Sequence, residues 1–263
     1  MKPSIALIIN TYDQPDYLRR VLYALNGQAS PPAEVLLADD GSDERTAEIF
    51  KDWATTQSGR CEHIWQAHDG FRRSRILNEA IARARAEYLV FLDGDTVPHP
   101  RFISDHQQLA GPDRFVQGHR ALIGRRAART FGEGNLRKER RQALLSGDVS
   151  GWKHAFRWPI PLRRTRRDLR GVRGCNLGIW LQHLLKVNGY NEEFTGWGRE
   201  DSELALRLIN HGVLRTDVRG WALCYHLWHP PLDRARVPAN DQLLASAVAE
   251  GRRSCSVGLN QHK

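Results

Sequence analysis

The chain has 263 residues, with 39 Lys and Arg against 30 Asp and Glu and a sequence pI near 9.8. That length suits one large α/β domain with a sizeable core, and no apolar run approaches the length of a signal peptide or a membrane span. Cys61, Cys175, Cys224 and Cys255 are scattered without Cys-x-x-Cys spacing, which argues against a zinc knuckle or a disulfide framework and predicts a reducing cytoplasmic setting.

The first element in chain order is a buried strand at 5–9, closed by the polar cluster Asn10-Thr11-Tyr12. Asp13-Gln14-Pro15-Asp16 starts a helix, with proline near its first position and Leu18, Val21, Leu22 and Leu25 at helical spacing. A second strand at 35–38 ends in Asp39-Asp40-Gly41-Ser42. Asp43 and Glu44 then suit the first turn of a helix whose inner face is Ile49, Phe50 and Trp53. A weaker strand at 61–66 leads to a third helix marked by Ile76, Leu77, Ala80, Ile81 and Ala84. The fourth strand, 88–92, reads as buried on both faces and ends abruptly in Asp93-Gly94-Asp95.

Strand alternating with amphipathic helix over the first ~110 residues predicts a parallel sheet wound by right-handed crossovers. Such sheets bind ligands at the carboxyl ends of their strands, so the three polar clusters should line one cleft. Residues i and i+2 of an extended segment point the same way, which lets Asp93 and Asp95 face one hard cation within reach of a diphosphate.

Beyond Arg114 this pattern breaks. Residues 114–173 hold seventeen Lys and Arg against Glu133, Glu139, Asp148 and Asp168, so the excess positive charge belongs to this segment and the remainder is slightly acidic. Residues 119–173, with Trp152, Phe156, Trp158, Pro159 and Pro161 and no sustained periodicity, read as a loop-rich insertion. Regularity resumes at 174–180 and 189–197. A helix then opens on Glu200 and Asp201, with Leu204, Ala205, Leu208 and Ile209 on one face, Glu203 and Arg207 paired at i,i+4, and Gly212 just past its end. An apolar stretch at 221–225 precedes His226, with His229 three residues on, and 238–263 reads as a polar, peripheral tail.

Taken in order, the three strand-end clusters resemble those of the inverting family 2 glycosyltransferases of the GT-A fold, over roughly residues 3–110. The resemblance implies that the first cluster (Thr11, Tyr12) and Asp40 hold the uridine of a nucleotide-sugar. It also implies that Asp95 binds a divalent metal bridging the diphosphate, with Asp93 near the ribose or the metal. A second match lies downstream: Gly196-Trp197-Gly198-Arg199-Glu200-Asp201 looks like the Gly-Trp-Gly-x-Glu-Asp motif of β1,4-galactosyltransferases and bacterial chondroitin-type polymerases. Residues 173–178 and 187–192 fit the segments preceding that motif. Tyr225-His226 resembles the strand-end histidine that completes the metal site in several such enzymes, with His229 as its rival.

The implied fold is one GT-A domain over 1–263, a Rossmann-like, mostly parallel sheet flanked by helices. It divides into a nucleotide-sugar half (1–112), an acceptor half (113–237) with the basic insertion 119–173, and the tail. The implied reaction is metal-dependent (Mn²⁺ or Mg²⁺) transfer of a galactose or N-acetylgalactosamine type sugar from a UDP-sugar. Its acceptor is a hydroxyl of a glycan or lipid-linked glycan, as in bacterial surface polysaccharide synthesis. Asp201 would be the general base, since a carboxylate in a helix's first turn stays ionised and can take a proton from an attacking hydroxyl, and Glu200 would orient the acceptor. Gly196 and Gly198 leave room for a sugar ring, and Trp197 offers a flat face to stack on it. Arg72, Arg73 or Arg75 could meet the diphosphate.

Two other readings are weaker. A nucleotidyltransferase needs a glycine-rich, lysine-containing loop near the amino terminus, which is missing. An RNA-binding protein using 119–173 would leave the strand-end carboxylates repelling phosphate, so no nucleic-acid partner is expected. The basic, aromatic segment could instead rest on an anionic membrane surface at the inner face of the plasma membrane, grip an acidic glycan, or remain a solvated loop.

Overall fold

A computed structural model of the chain describes residues 2–262. Its first four strands, β1 (Ile5–Thr11), β2 (Glu34–Asp39), β3 (Arg60–Trp65) and β4 (Tyr88–Asp93), alternate with α1 (Pro15–Leu25), α2 (Glu44–Ala54) and α3 (Arg73–Arg83). Then follow β5 (Thr96–Pro98), α4 (Phe102–Leu109), β6 (Arg114–Gln117), β7 (Arg120–Ile123), α5 (Leu136–Leu145), β8 (Val149–Ser150) and β9 (Leu162–Arg166). The chain continues through β10 (Asn176–Trp180), α6 (Leu181–Val187), α7 (Glu200–Asn210), β11 (Leu214–Arg219), β12 (Cys224–His226) and α8 (Val237–Ala249).

Eight strands form one sheet in the order β3-β2-β1-β4-β10-β6-β11-β9, and β5-β12-β7-β8 form a smaller one. The first four strands are parallel; β1, β2 and β4 carry the apolar runs expected of buried parallel strands, and β3, at the edge, does not. β10 runs antiparallel to both β4 and β6, whereas β11 is parallel to β6, so β1, β2, β4, β6 and β11 end on the same sheet edge. Strand alternation sends Ile5, Leu7 and Ile9 into a core under α1, α2, α4 and the small sheet, and Ala6 and Ile8 into a second core under α3, α6 and α7. Helices on both faces of a mostly parallel sheet give the Rossmann-like α/β class expected from the sequence.

Three expectations are corrected. The basic segment is not a loop-rich insertion throughout: it contains β7, α5, β8 and β9. Helix α5 buries only Ala143, and β9 is an exposed edge strand of sequence Leu-Arg-Arg-Thr-Arg, so neither leaves an apolar period in the sequence. The regular stretch at 189–197 is irregular, and the unforeseen helix α6 precedes it, ending at Asn188 with φ 65°. The carboxy-terminal stretch is not wholly peripheral. It forms α8, whose Asn240 and Ala247 are buried, and returns Leu259 to the core beneath α3.

Among the described residues, no helix is long and apolar enough to cross a membrane. The four cysteines are free thiols. On α7, the Glu203–Arg207 pair is fully buried, with Arg207 also donating to the carbonyls of Val187 and Gly189.

Candidate active site

Four acidic or amide side chains from three elements close on one guanidinium. Arg73 opens α3 beneath the end of the large sheet, and its side chain is almost wholly buried. Its Nη1 donates to Glu200 (3.1 Å) and Asp201 (3.0 Å) at the start of α7, its Nη2 to Asp93 at the end of β4 (3.3 Å), and its Nε to Asn10 at the end of β1 (3.0 Å). Burial alone would lower its pKa, but the charges of Asp201, Asp93 and Glu200 raise it well above the ordinary arginine value. The other oxygen of Asp201 accepts from the Gly174 N–H at 2.7 Å. A Cβ on Gly174 would lie 2.4 Å from both Arg73 Nη2 and Asp201 Oδ1, so only glycine allows the cluster to close.

Desolvation and then the charge of Asp201 push the Glu200 carboxyl up to about 7, and its Oε2 is buried without a hydrogen-bond partner. Desolvation likewise raises Asp93 to about 6. The cluster therefore holds a proton near neutral pH.

Asp95 faces elsewhere. Its Oδ2 lies 3.2 Å from His229 Nε2 and 3.5 Å from His226 Nε2, and its Oδ1 accepts from the Thr96 hydroxyl. One ligand atom from each of Asp95, His226 and His229 lies within 4.8 Å of the others. One carboxylate and two imidazoles are a donor set suited to a first-row divalent cation. Two of the three protonation states also fit, while the hydrogen bond to Asp95 raises the pKa of His229, which would give up that proton to a metal. Burial favours the neutral Asp95 acid, but the hydrogen bond from His229 and the charges of His226 and His229 outweigh it and hold the carboxyl below its usual range. Burial holds His226 neutral, near 4. The structure thus brings both rival histidines to Asp95 and turns Asp93 away from this trio toward Arg73.

On the other side of β4, Thr11 lies against Gly94, and its buried hydroxyl has no partner. Tyr12 is exposed and stacks on His68, with centroids 4.5 Å apart. Asp40 is turned inward: it accepts from the Arg72 backbone N–H (2.8 Å) and from the Gln66 amide, and burial raises its pKa. Asp40 thereby ties the end of β2 to the start of α3. The loop 196–199 approaches α7 through positive φ at Gly196, Gly198 and Arg199, and Arg199 is held there by Asp241 of α8. Trp197 is partly exposed, with the Arg234 guanidinium 5.0 Å from its ring centroid.

Two features escaped the sequence reading. There Arg73 is only one of three arginines that could meet the diphosphate, and its place at the centre of the carboxylates gives no signal. Arg120, at the start of β7, pairs in register with Cys224 of β12, so its side chain shares a face with His226. Its Nε is buried without a partner, and its charge lowers the pKa of both Asp93 and His226. A cavity of about 690 Å³ is lined in part by Tyr17, Arg20, Arg125, Arg129 and Trp228, the residue before His229.

The profile described as glycosyl transferase family 2 matches residues 6–170, more than half of the chain. The chain belongs to glycosyl transferase family 2. A second profile, described as the N-terminal domain of galactosyltransferase, matches residues 159–229, which include the Gly-Trp-Gly-Arg-Glu-Asp loop and His226. Chondroitin synthase from Escherichia coli is 27% identical over 242 residues, 84% of this family 2 chain, which spans only 34% of that relative's length. Two solved structures share the fold. A Pyrobaculum calidifontis mannosyltransferase in complex with GDP-Man and Mn²⁺ has a TM-score of 0.59 at 18% identity, covering 88% of this chain and 58% of its own. GalNAc-T7 with UDP, GalNAc and Mn²⁺ has a TM-score of 0.62 at 12% identity, covering 86% of this chain and 44% of its own.

Proposed function

We propose that this family 2 chain is a metal-dependent, inverting glycosyltransferase. It passes a galactose or N-acetylgalactosamine type sugar from a UDP-sugar to a hydroxyl of a glycan or lipid-linked glycan, in the making of bacterial surface polysaccharide. The observation that carries this reading is the meeting of Asp93 with Glu200 and Asp201 on Arg73, beside the Asp95–His226–His229 trio. A site for an anionic leaving group and a candidate base thus share one cleft. The galactosyltransferase profile over 159–229 and the chondroitin synthase relative favour the choice of sugar.

In this reading, the nucleotide-sugar rests on the half formed by residues 1–112, and the acceptor meets the half formed by 113–237 at the 196–201 loop and helix start alone. Thr11 and Tyr12 meet the nucleoside, and Asp40 holds the loop that frames it. Asp95, His226 and His229 would hold a divalent cation, Mn²⁺ or Mg²⁺, which supplies positive charge to offset the charge on the departing diphosphate. Arg120 adds a fixed positive charge on the same face of the small sheet. Trp197 stacks on the acceptor ring, with Gly196 and Gly198 giving it room. Asp201, oriented by Arg73 and the Gly174 N–H, takes the acceptor hydroxyl proton as that oxygen attacks the sugar's anomeric carbon. Glu200 positions the acceptor. The bond to the nucleoside diphosphate breaks in the same displacement, so no covalent intermediate forms.

The test is UDP release from a panel of UDP-sugars, with and without Mn²⁺. Turnover with UDP-galactose or UDP-N-acetylgalactosamine, dependent on a divalent cation, is expected. Asp95→Ala should abolish metal-dependent UDP binding, and Asp201→Asn should keep donor affinity while losing on the order of 10²–10⁴ in kcat. No release from any UDP-sugar would reject the reading, and near-native turnover by Asp201→Asn would move the base to Glu200.

A further inference from the structure

The end of the large sheet opposite β3 carries a feature that the cleft does not use. Between the short turn at 152–154 and β9, the chain runs Trp158-Pro159-Ile160-Pro161-Leu162 across the end of β11. Both ends of this tip are fixed. The Trp158 N–H donates to the Gly220 carbonyl at 2.9 Å, its own carbonyl accepts from the Trp221 indole at 3.0 Å, and Leu162 pairs in register with Arg219. Two prolines restrict the backbone between these anchors. Ile160 nevertheless stands 80% exposed and Leu162 54%, far more than two aliphatic side chains so close together would be if the tip were packed for stability.

Basic side chains follow at once. Arg163, Arg164 and Arg167 are exposed, and none has a carboxylate partner among the described residues, unlike Arg166, which is held by Asp168 and Asp217. No acidic residue falls between Arg157 and Arg167. An apolar tip bordered by free arginines matches a layer whose surface is anionic and whose interior is hydrocarbon. A soluble polyanion would engage the arginines but leave Ile160 in water.

The position of the tip matters as much as its composition. β11 runs in the same direction as β4, so the tip at its carboxyl end lies on the sheet edge that carries Asp93. Four strand spacings separate β4 from β9 in the sheet order, about 19 Å at the usual inter-strand distance.

We propose that the Trp158–Leu162 tip and Arg163, Arg164 and Arg167 dock this protein on an anionic lipid bilayer, leaving the cleft open beside the headgroups to acceptors carried on that membrane. The second half of the statement rests on the transferase reading, and the docking does not.

Co-sedimentation with phosphatidylcholine vesicles, with and without phosphatidylglycerol, tests it. The wild type should pellet with the anionic vesicles at low salt, remain in the supernatant with neutral ones, and be released by ~0.5 M NaCl, where screening shortens to a few ångströms. The Ile160→Asp, Leu162→Asp pair and the Arg163→Glu, Arg164→Glu, Arg167→Glu triple should each weaken binding by tenfold or more. Unchanged thermal melting of both variants would show that the surface alone was altered. UDP release without vesicles should stay within about twofold of wild type, because these positions lie outside the cleft. Failure to pellet with anionic vesicles at low salt overturns the proposal. So does pelleting that neither variant weakens, or retention on a soluble anionic polysaccharide without vesicle binding. If the wild type pellets as expected but releases no UDP from any donor, the transferase reading falls and the docking stands.

Discussion

Glu200 sits where its charge is least favoured. Buried, and next to the charge of Asp201, its carboxyl is raised from the ordinary value near 4.5 to about 7. Between those two pH values the folded protein binds a proton that the unfolded chain has released. This group's contribution to stability therefore falls as pH rises through the window, and its full penalty is present above pH 7. Replacing it with the neutral isostere should reverse that penalty. Glu200→Gln is expected to melt a few degrees higher than wild type at pH 8, on the order of 1–3 kcal/mol, and at the same temperature near pH 4.5. Equal melting temperatures at pH 8 would mean that Glu200 ionises freely. The carboxylates themselves were legible in the sequence because each closes a strand or opens a helix, where side chains face a cleft. Arg73 was legible only as one of three arginines facing a diphosphate; that it gathers the carboxylates was not, because a guanidinium in the first turn of a helix looks solvated until the elements around it close. The inward turn of Asp40 was likewise invisible, since its partners, Gln66 and the Arg72 N–H, lie on a loop whose path no periodicity records.

Among the elements, α7 carries the heaviest local demand. Its Glu203–Arg207 pair reads in the sequence simply as an i,i+4 pair, and such pairs on a helix surface are worth a few tenths of a kcal/mol. In the fold it is wholly buried, and Arg207 also satisfies the carbonyls at the end of α6. Arg207→Ala would strand a buried carboxylate and is expected to destabilise the protein by roughly 3–5 kcal/mol, whereas Arg207→Met with Glu203→Leu should recover most of the loss. Chemical denaturation of the two variants measures the difference, and a loss below about 1 kcal/mol in the single variant would show that Glu203 finds water. The same contrast explains which elements the sequence revealed. β1, β2 and β4 are buried on both faces and announce themselves as apolar runs. β9 and α5 touch the core so lightly that charge patterning hides them, and α8 is held through Asn240, which donates to the carbonyls of Thr195 and Gly198.

At the scale of the whole molecule, the Asp95–His226–His229 trio joins the two sheets. Asp95 follows β4 of the large sheet, and His226 ends a strand of the small one. A cation held there would tie the two sheets together in the folded state alone, so it should stabilise by mass action. At a hundredfold excess over its Kd, Mn²⁺ is expected to add about 2.7 kcal/mol, a melting shift of several degrees. Asp95→Ala should show no shift, and an equal shift in both proteins would place the cation elsewhere.

The outer strand β9 has one more consequence. It leaves a row of backbone hydrogen-bonding groups open along one side of the large sheet, which is the usual route by which one molecule recruits another into a continuous sheet. Here that row is flanked by Arg163 and Arg164, so two copies approaching edge to edge would bring like charges together. The arginines that burden the chain with its basic pI thus act as guards against self-association. Neutralising them would remove that protection together with any hold on a membrane, and aggregation should appear first in high salt, where the repulsion is screened.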